Sequence, residues 1–266
     1  MAFSVCEGVL SRPIRLYWWR APQGNFGDDL SPIIVSHHAR RPVVHAGIKT
    51  CDMIAVGSLL GDFTKRRWQR ILRRPLRRTH VWGTGCFGDV SGLYRHMIVH
   101  CVRGPLTRDL LRVDAATPLG DPALLLSRMM EKPKKRYRWG IIPHIHHQQA
   151  PAIRELARLP GVHRINLASP DTLEIARTIA SCDFILSTSL HGLIVADAFG
   201  VPNGWMHRVG EPLDDWKFRD YLASVGRDMS PVDPPLDLAA LETSLTAAAP
   251  GTVSALADSL ERSFPC

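Results

Sequence analysis

The stretch from Cys182 to Pro202 constrains the fold more than any other part of the chain. Phe184-Ile185-Leu186 is an apolar run of the length of a buried strand. Ser187, Thr188 and Ser189 follow as a polar turn with hydroxyls suited to capping a helix. Leu193, Ile194 and Ala198 recur at helical spacing, and Gly200 with Pro202 ends the helix. A strand feeding a helix in this way puts His191 in the first helical turn, at a strand's carboxyl end. Open α/β sheets bind ligands at that edge, and the amide donors and positive end of a helix favour an anion there. A histidine so placed can simply pack, the commoner fate, or it can hold an anion or move a proton. The functional reading is preferred because other parts of the chain point to the same chemistry.

Strand and helix signals alternate along both halves. Ile14 to Trp19, Val43 to Ala46, Met53 to Ser58, His80 to Trp82 and Met97 to Val102 read as strands of the first half. Trp139 to Ile142, His163 to Leu167, Phe184 to Leu186 and Gly204 to His207 read as strands of the second. Helices are expected from Gly104-Pro105 through Leu111, over Pro151 to Leu159, over Asp171 to Ser181 with Ser169 as its cap, over Asp214 to Val225, and in the tail from Leu236. Such alternation predicts parallel sheets joined by right-handed crossovers. Glu131-Lys132-Pro133-Lys134-Lys135-Arg136 is charged, proline-bearing and without apolar period, so a domain boundary is placed there. The expected division is 1–130, 137–230 and a helical tail over 231–266. Two domains facing each other would bring Asn25, Asp28, Arg103, His144 and His191 to one cleft, each from a loop after a strand.

Individually these signals have plain alternatives. Gly24-Asn25-Phe26-Gly27-Asp28 lets backbone approach a ligand and lets Asn25 and Asp28 orient hydroxyls, but an ordinary Asx turn before a helix looks the same. Gly83, after His80 to Trp82, is a similar strand-to-loop edge. Arg103 suits a carboxylate or phosphate bidentately, or a salt bridge to a neighbouring acid. His144, His146 and His147 invite a metal reading, yet no third-ligand cluster of Cys, Asp or Glu stands at a matching spacing. The six cysteines lack a CxxC pair and read as reduced thiols.

The net charge of +8 points to an anionic partner. Lys65 to Arg78 concentrates it: Trp68, Ile71 and Leu72 share one helical face and arginines fill the rest. The segment reads as a solvated helix or as a dock for an anionic membrane surface. Neither a signal peptide nor a membrane-spanning stretch is expected.

Taken together, Gly24-Asn25-Phe26-Gly27-Asp28, Val102-Arg103-Gly104-Pro105-Leu106-Thr107, Gly120-Asp121-Pro122-Ala123, Ile142-Pro143-His144, Ser187-Thr188-Ser189-Leu190-His191-Gly192 and Lys217-Phe218-Arg219-Asp220-Tyr221 resemble the polysaccharide pyruvyl transferase family, in particular its exopolysaccharide ketal branch. Their order and spacing from about residue 14 to 226 carry the resemblance. Many family members have arginine where Ser189 stands here. The resemblance implies a two-domain, Rossmann-like fold of glycosyltransferase-B type, phosphoenolpyruvate as donor and a lipid-linked oligosaccharide as acceptor. The product would be a pyruvate ketal on a terminal hexose, with phosphate released at the cytoplasmic face of the cell membrane. It implies His191 and Asp28 as catalytic residues, with Asn25, Gly27, Gly83, Arg103, His144 and Ser189 binding substrate and His144 the rival of His191 as acid. Neither a cofactor nor an obligatory metal is expected. A nucleotide-sugar glycosyltransferase of similar fold is the alternative; it would want an acid for the ribose, for which Asp183 and Glu174 are available. A basic protein binding nucleic acid would explain the charge alone, and no recognised module supports it.

Overall fold

A computed structural model describes residues 12–65, 78–88, 90, 92, 96–145, 147–207 and 215–265. Much of the basic segment 65–78 and His146 lie outside these. The chain builds two parallel sheets. The first comprises β1 (Ile14–Tyr17), β2 (Val43–His45), β3 (Met53–Ile54), β4 (Thr79–Trp82) and β5 (Met97–Cys101) in the order β2-β1-β3-β4-β5. The second comprises β6 (Tyr137–Ile142), β7 (Val162–Arg164), β8 (Cys182–Ser187) and β9 (Asn203–Trp205) in the order β7-β6-β8-β9. Every ladder between these strands is parallel. Parallel pairing demands long crossovers, and helices supply most of them.

Those helices are α1 (Phe26–Ala39), α2 (Leu60–Lys65), α3 (Pro105–Leu111), α4 (Leu126–Met129, entered through a 3-10 turn over Pro122–Leu125), α5 (Pro151–Leu156), α6 (Thr172–Ala180), α7 (Leu190–Ala198), α8 (Trp216–Ser224), α9 (Leu238–Ser244) and α10 (Pro250–Arg262). Helix α7 is apolar around almost its whole circumference because it is buried on all sides. Two capping expectations are corrected. Helix α6 is capped by Asp171, whose carboxylate accepts from Glu174 N at 2.9 Å, and not by Ser169. The hydroxyls before α7 do not cap it. Ser187 Oγ takes Ser189 N and donates to Ser189 O, while Thr188 Oγ1 accepts from His144 N at 2.7 Å. The Thr188 bond stitches the turn after β8 to the turn after β6, while the Ser187 bonds hold the former in shape.

One apolar cluster runs from the first sheet (Leu16, Trp82) through α1 and the 3-10 turn into α7 and β8. The last helix closes it from outside: Trp82 is buried and its indole N–H donates to Leu260 O at 3.0 Å.

Candidate active site

Each sheet reverses strand order once, between β1 and β3 and between β6 and β8. At such a point the crossovers leave in opposite directions, which opens a crevice at the strands' carboxyl ends. A cleft of about 290 Å³ lies across both crevices. Trp19, Asn25 and Asp28 reach it from the turn after β1, and Gly57 and Ser58 from the turn after β3. His144 reaches it after β6, and Ser189 and His191 after β8. Phe26 N donates to Leu167 O at 3.3 Å, which ties the two crevices together.

Asn25, Asp28, His144, Ser189 and His191 therefore line one cavity. Gly27 stands directly behind it: a Cβ there would collide with the His191 imidazole, so glycine lets the ring lie against the start of α1. Gly57, at φ +107, does the same for Asp28, whose carboxylate occupies the space a side chain would need. Gly83 and Arg103 are not in the lining. Gly83 makes room for Pro122. Arg103 follows its strand as expected but is wholly buried. Its guanidinium donates to Asp220 Oδ2 at 3.1 Å, Cys86 O at 3.0 Å and Ser58 Oγ at 2.7 Å. Asp220 also accepts from Thr107 N and Thr107 Oγ1. Salt-bridge formation is the fate this arginine takes, and the pair pins α8 onto α3. Gly85 and Gly104 permit it, since a Cβ at either would strike the guanidinium or the Asp220 backbone.

Asp28 is 9% exposed and accepts from the Asn25 side-chain amide. Burial pushes its pKa up from the ordinary 3.8 to about 7, Asp29 adds to the rise, and His191 and Lys217 pull against it. A carboxyl that titrates near neutrality can give or take a proton at working pH. His191 Nε2 faces Asp121 Oδ2 at 3.7 Å, beyond hydrogen-bond reach, and neither buried atom has a hydrogen-bond partner among the described residues. Asp121 thus stands as a counter-charge beside the imidazole, and its other oxygen is fixed by Ala123 N.

Two kinds of lining residue were not singled out as site residues in the sequence. Lys217, on α8, brings a cation to the cleft, its Nζ 5.2 Å from the Phe87 ring centroid. Trp19 and Phe87 are 41% and 48% exposed and stand at the cleft instead of in a core. An aromatic ring just past a strand end was the available signal for Trp19, one beside a glycine for Phe87, and a lysine beginning an aromatic-rich helix for Lys217. The acids considered for a ribose lie elsewhere: Asp183 faces Arg138 at 3.8 Å and Glu174 faces Arg177 at 3.5 Å. Among the described residues no group of three or more His, Cys, Asp or Glu is arranged around a metal position.

Comparison with known proteins agrees in kind. An uncharacterized protein, L143, of Acanthamoeba polyphaga mimivirus is 32% identical over 162 residues, covering 56% of either chain. Succinoglycan biosynthesis protein ExoV of Rhizobium meliloti (strain 1021) is 26% identical over 218 residues, 79% of this chain and 64% of ExoV. The chain thus spans less than two thirds of the length of either relative. A crystal structure of the uncharacterized protein KP1_0663 from Klebsiella pneumoniae subsp. pneumoniae NTUH-K2044 superposes with a TM-score of 0.45 at 12% identity, over 78% of this chain and 87% of that one. A family model for polysaccharide pyruvyl transferase matches residues 10–206, well over half of the 266. The chain belongs to the polysaccharide pyruvyl transferase family.

Proposed function

We propose that this protein transfers the pyruvyl group of phosphoenolpyruvate to two hydroxyls of one terminal hexose of an exopolysaccharide repeat unit, forming a cyclic ketal and releasing phosphate. The observation that carries the reading is the pairing, in one cleft, of a carboxyl titrating near pH 7 with a histidine that faces a buried carboxylate, Asp28 with His191. Family membership supports pyruvyl transfer, and the printed role of ExoV in succinoglycan biosynthesis supports an exopolysaccharide acceptor.

The reaction needs three proton movements. The first sugar hydroxyl adds to C2 of the enol and gives up its proton to a base while a proton goes to the methylene carbon. Phosphate then leaves, and the second hydroxyl closes the ring and gives up its proton. His191 is the proposed donor to carbon, with Asp121 as counter-charge beside its ring; His144 is the rival. Asp28, with Asn25 on its carboxylate, is the proposed base for a hydroxyl. Lys217, with the start of α7, would hold the donor's anionic groups. Trp19 offers an exposed apolar face on which the acceptor ring can stack. Arg103 is reassigned from substrate contact to positioning, because its fork is already occupied.

The two parallel sheets with a cleft across both switch points support a fold of two Rossmann-like domains in the glycosyltransferase-B manner. The proposed division remains 1–130, 137–230 and 231–266, the last helix returning to the first sheet. No described helix is long and apolar enough to cross a membrane. The proposed site of action is the cytoplasmic face of the cell membrane, with the basic stretch Lys65 to Arg78 meeting anionic lipid near a lipid-linked acceptor.

The decisive experiment is incubation with phosphoenolpyruvate and lipid-linked oligosaccharides, followed by mass spectrometry and a phosphate assay. A pyruvyl ketal with one phosphate released per ketal is expected. Sugar transfer from a nucleotide sugar with no use of phosphoenolpyruvate would replace this reading with that of a glycosyltransferase.

A further inference from the structure

We propose that the Ser58 hydroxyl is a substrate-binding donor, committed to that role by Arg103. Ser58 is half-buried in the turn after β3 and lines the cleft. Its Oγ stands 2.7 Å from Arg103 Nη1. A guanidinium has only donors, so in this contact the serine oxygen must accept. The serine's own proton is therefore available for another acceptor, and none among the described residues takes it.

Arg103 cannot turn away. Its Nε is held by Asp220 and its Nη2 by the carbonyl of Cys86, in a pocket without solvent exposure. Gly85 leaves the space that the guanidinium fills, since a Cβ there would strike Arg103 Cζ and Nη2. A hydroxyl whose oxygen accepts from a cation is a stronger donor in turn. The ligand atom it calls for is a negatively charged oxygen.

The inference rests on the proposed donor substrate. In phosphoenolpyruvate either the carboxylate or the phosphate can supply that oxygen, and the two share the chemistry that Ser58 recognises. It also explains why the Val102-Arg103-Gly104-Pro105 turn stands near a site that it does not enter: it aims one hydroxyl.

The test is calorimetric titration of phosphoenolpyruvate into the full chain and into Ser58→Ala and Ser58→Thr, with thermal melts of all three. Ser58→Ala should bind about tenfold or more weakly and should also melt lower, because the buried Arg103 Nη1 loses its acceptor. Ser58→Thr, which keeps the hydroxyl, should hold affinity near that of the parent. Parallel titrations with inorganic phosphate and with pyruvate then separate the two oxygens, since only the one that Ser58 serves should lose affinity in Ser58→Ala. Equal affinity of the parent and Ser58→Ala overturns the proposal, as does equal loss in Ser58→Thr and Ser58→Ala. A parent chain that binds no phosphoenolpyruvate overturns this inference together with the donor assignment, and that result is distinct from the other two.

Discussion

Asp28 and Asp220 are both buried carboxyls near helix starts, and they have opposite fates. Asp220 lies between a guanidinium, a backbone amide and a hydroxyl. Its charge is compensated within the fold, and it joins α8 to α3. Asp28 receives a side-chain amide, and burial drives its pKa to about 7. Burial with full compensation makes a structural clamp; burial with partial compensation makes a group that reacts. The two cations also differ in place: Arg103 lies wholly buried behind the cleft, and Lys217 lines it.

The contrast is most exposed to failure at the cleft. Asp28→Asn and His191→Gln should each lower turnover by about 10²–10⁴ while phosphoenolpyruvate still binds. Steady-state kinetics with calorimetric binding checks this; near-normal turnover in both would remove them from the reaction. Asp28→Asn carries a second expectation with a defined sign. The folded pKa near 7 lies above the ordinary 3.8, so the protonated folded state is favoured below about pH 4 and that stability is lost as pH rises through 7. Denaturant melts at several pH values should show the non-titrating variant gaining on the parent across this window.

At the clamp the loss should appear as stability. Arg103→Met leaves Asp220 buried without its cation, a change that costs about 3–5 kcal/mol. Chemical denaturation reads it directly, and parent-like stability would mean Asp220 is not the fixed charge described above. Gly104→Ala should cost less, about 1–3 kcal/mol, because α8 can retreat from the added methyl at the expense of its packing. The smallest effect is expected at the cleft mouth. Trp19→Ala should raise the KM for the acceptor several-fold, in keeping with about 0.5–1.5 kcal/mol for an exposed aromatic contact. It should leave the KM for the donor unchanged; a donor effect of equal size would place Trp19 on the other substrate.

The parts of this arrangement that were legible in the sequence are those with local causes. A short apolar run, a glycine or hydroxyl turn and a helical period put Asn25, Asp28, His144 and His191 at strand ends, and parallel topology then gathers strand ends on one edge. Arg103 obeyed the same rule but ended behind the cleft, because its partner Asp220 is 117 residues away. Nothing in a turn motif identifies a distant carboxylate. Asp121 was visible within a Gly-Asp-Pro-Ala turn, yet its role depends on the tertiary approach of α7. The serine-threonine turn before α7 suggests a cap, but Ser187 bonds within its own turn and Thr188 serves the neighbouring one, a choice made by packing. Local rules thus gave the address of each residue, while long-range pairing decided which would face a substrate.

The bond from Trp82 to Leu260 has a consequence for biosynthesis. Its two ends are 178 positions apart. During translation at about 5–20 residues per second, the first sheet would wait roughly ten to forty seconds for the helix that covers this tryptophan. Through that interval a face that includes Trp82 stays open to water and to other chains. The growing polypeptide is then a client for chaperones that grip apolar surface, and release should follow the emergence of α10 from the ribosome and not completion of the first sheet.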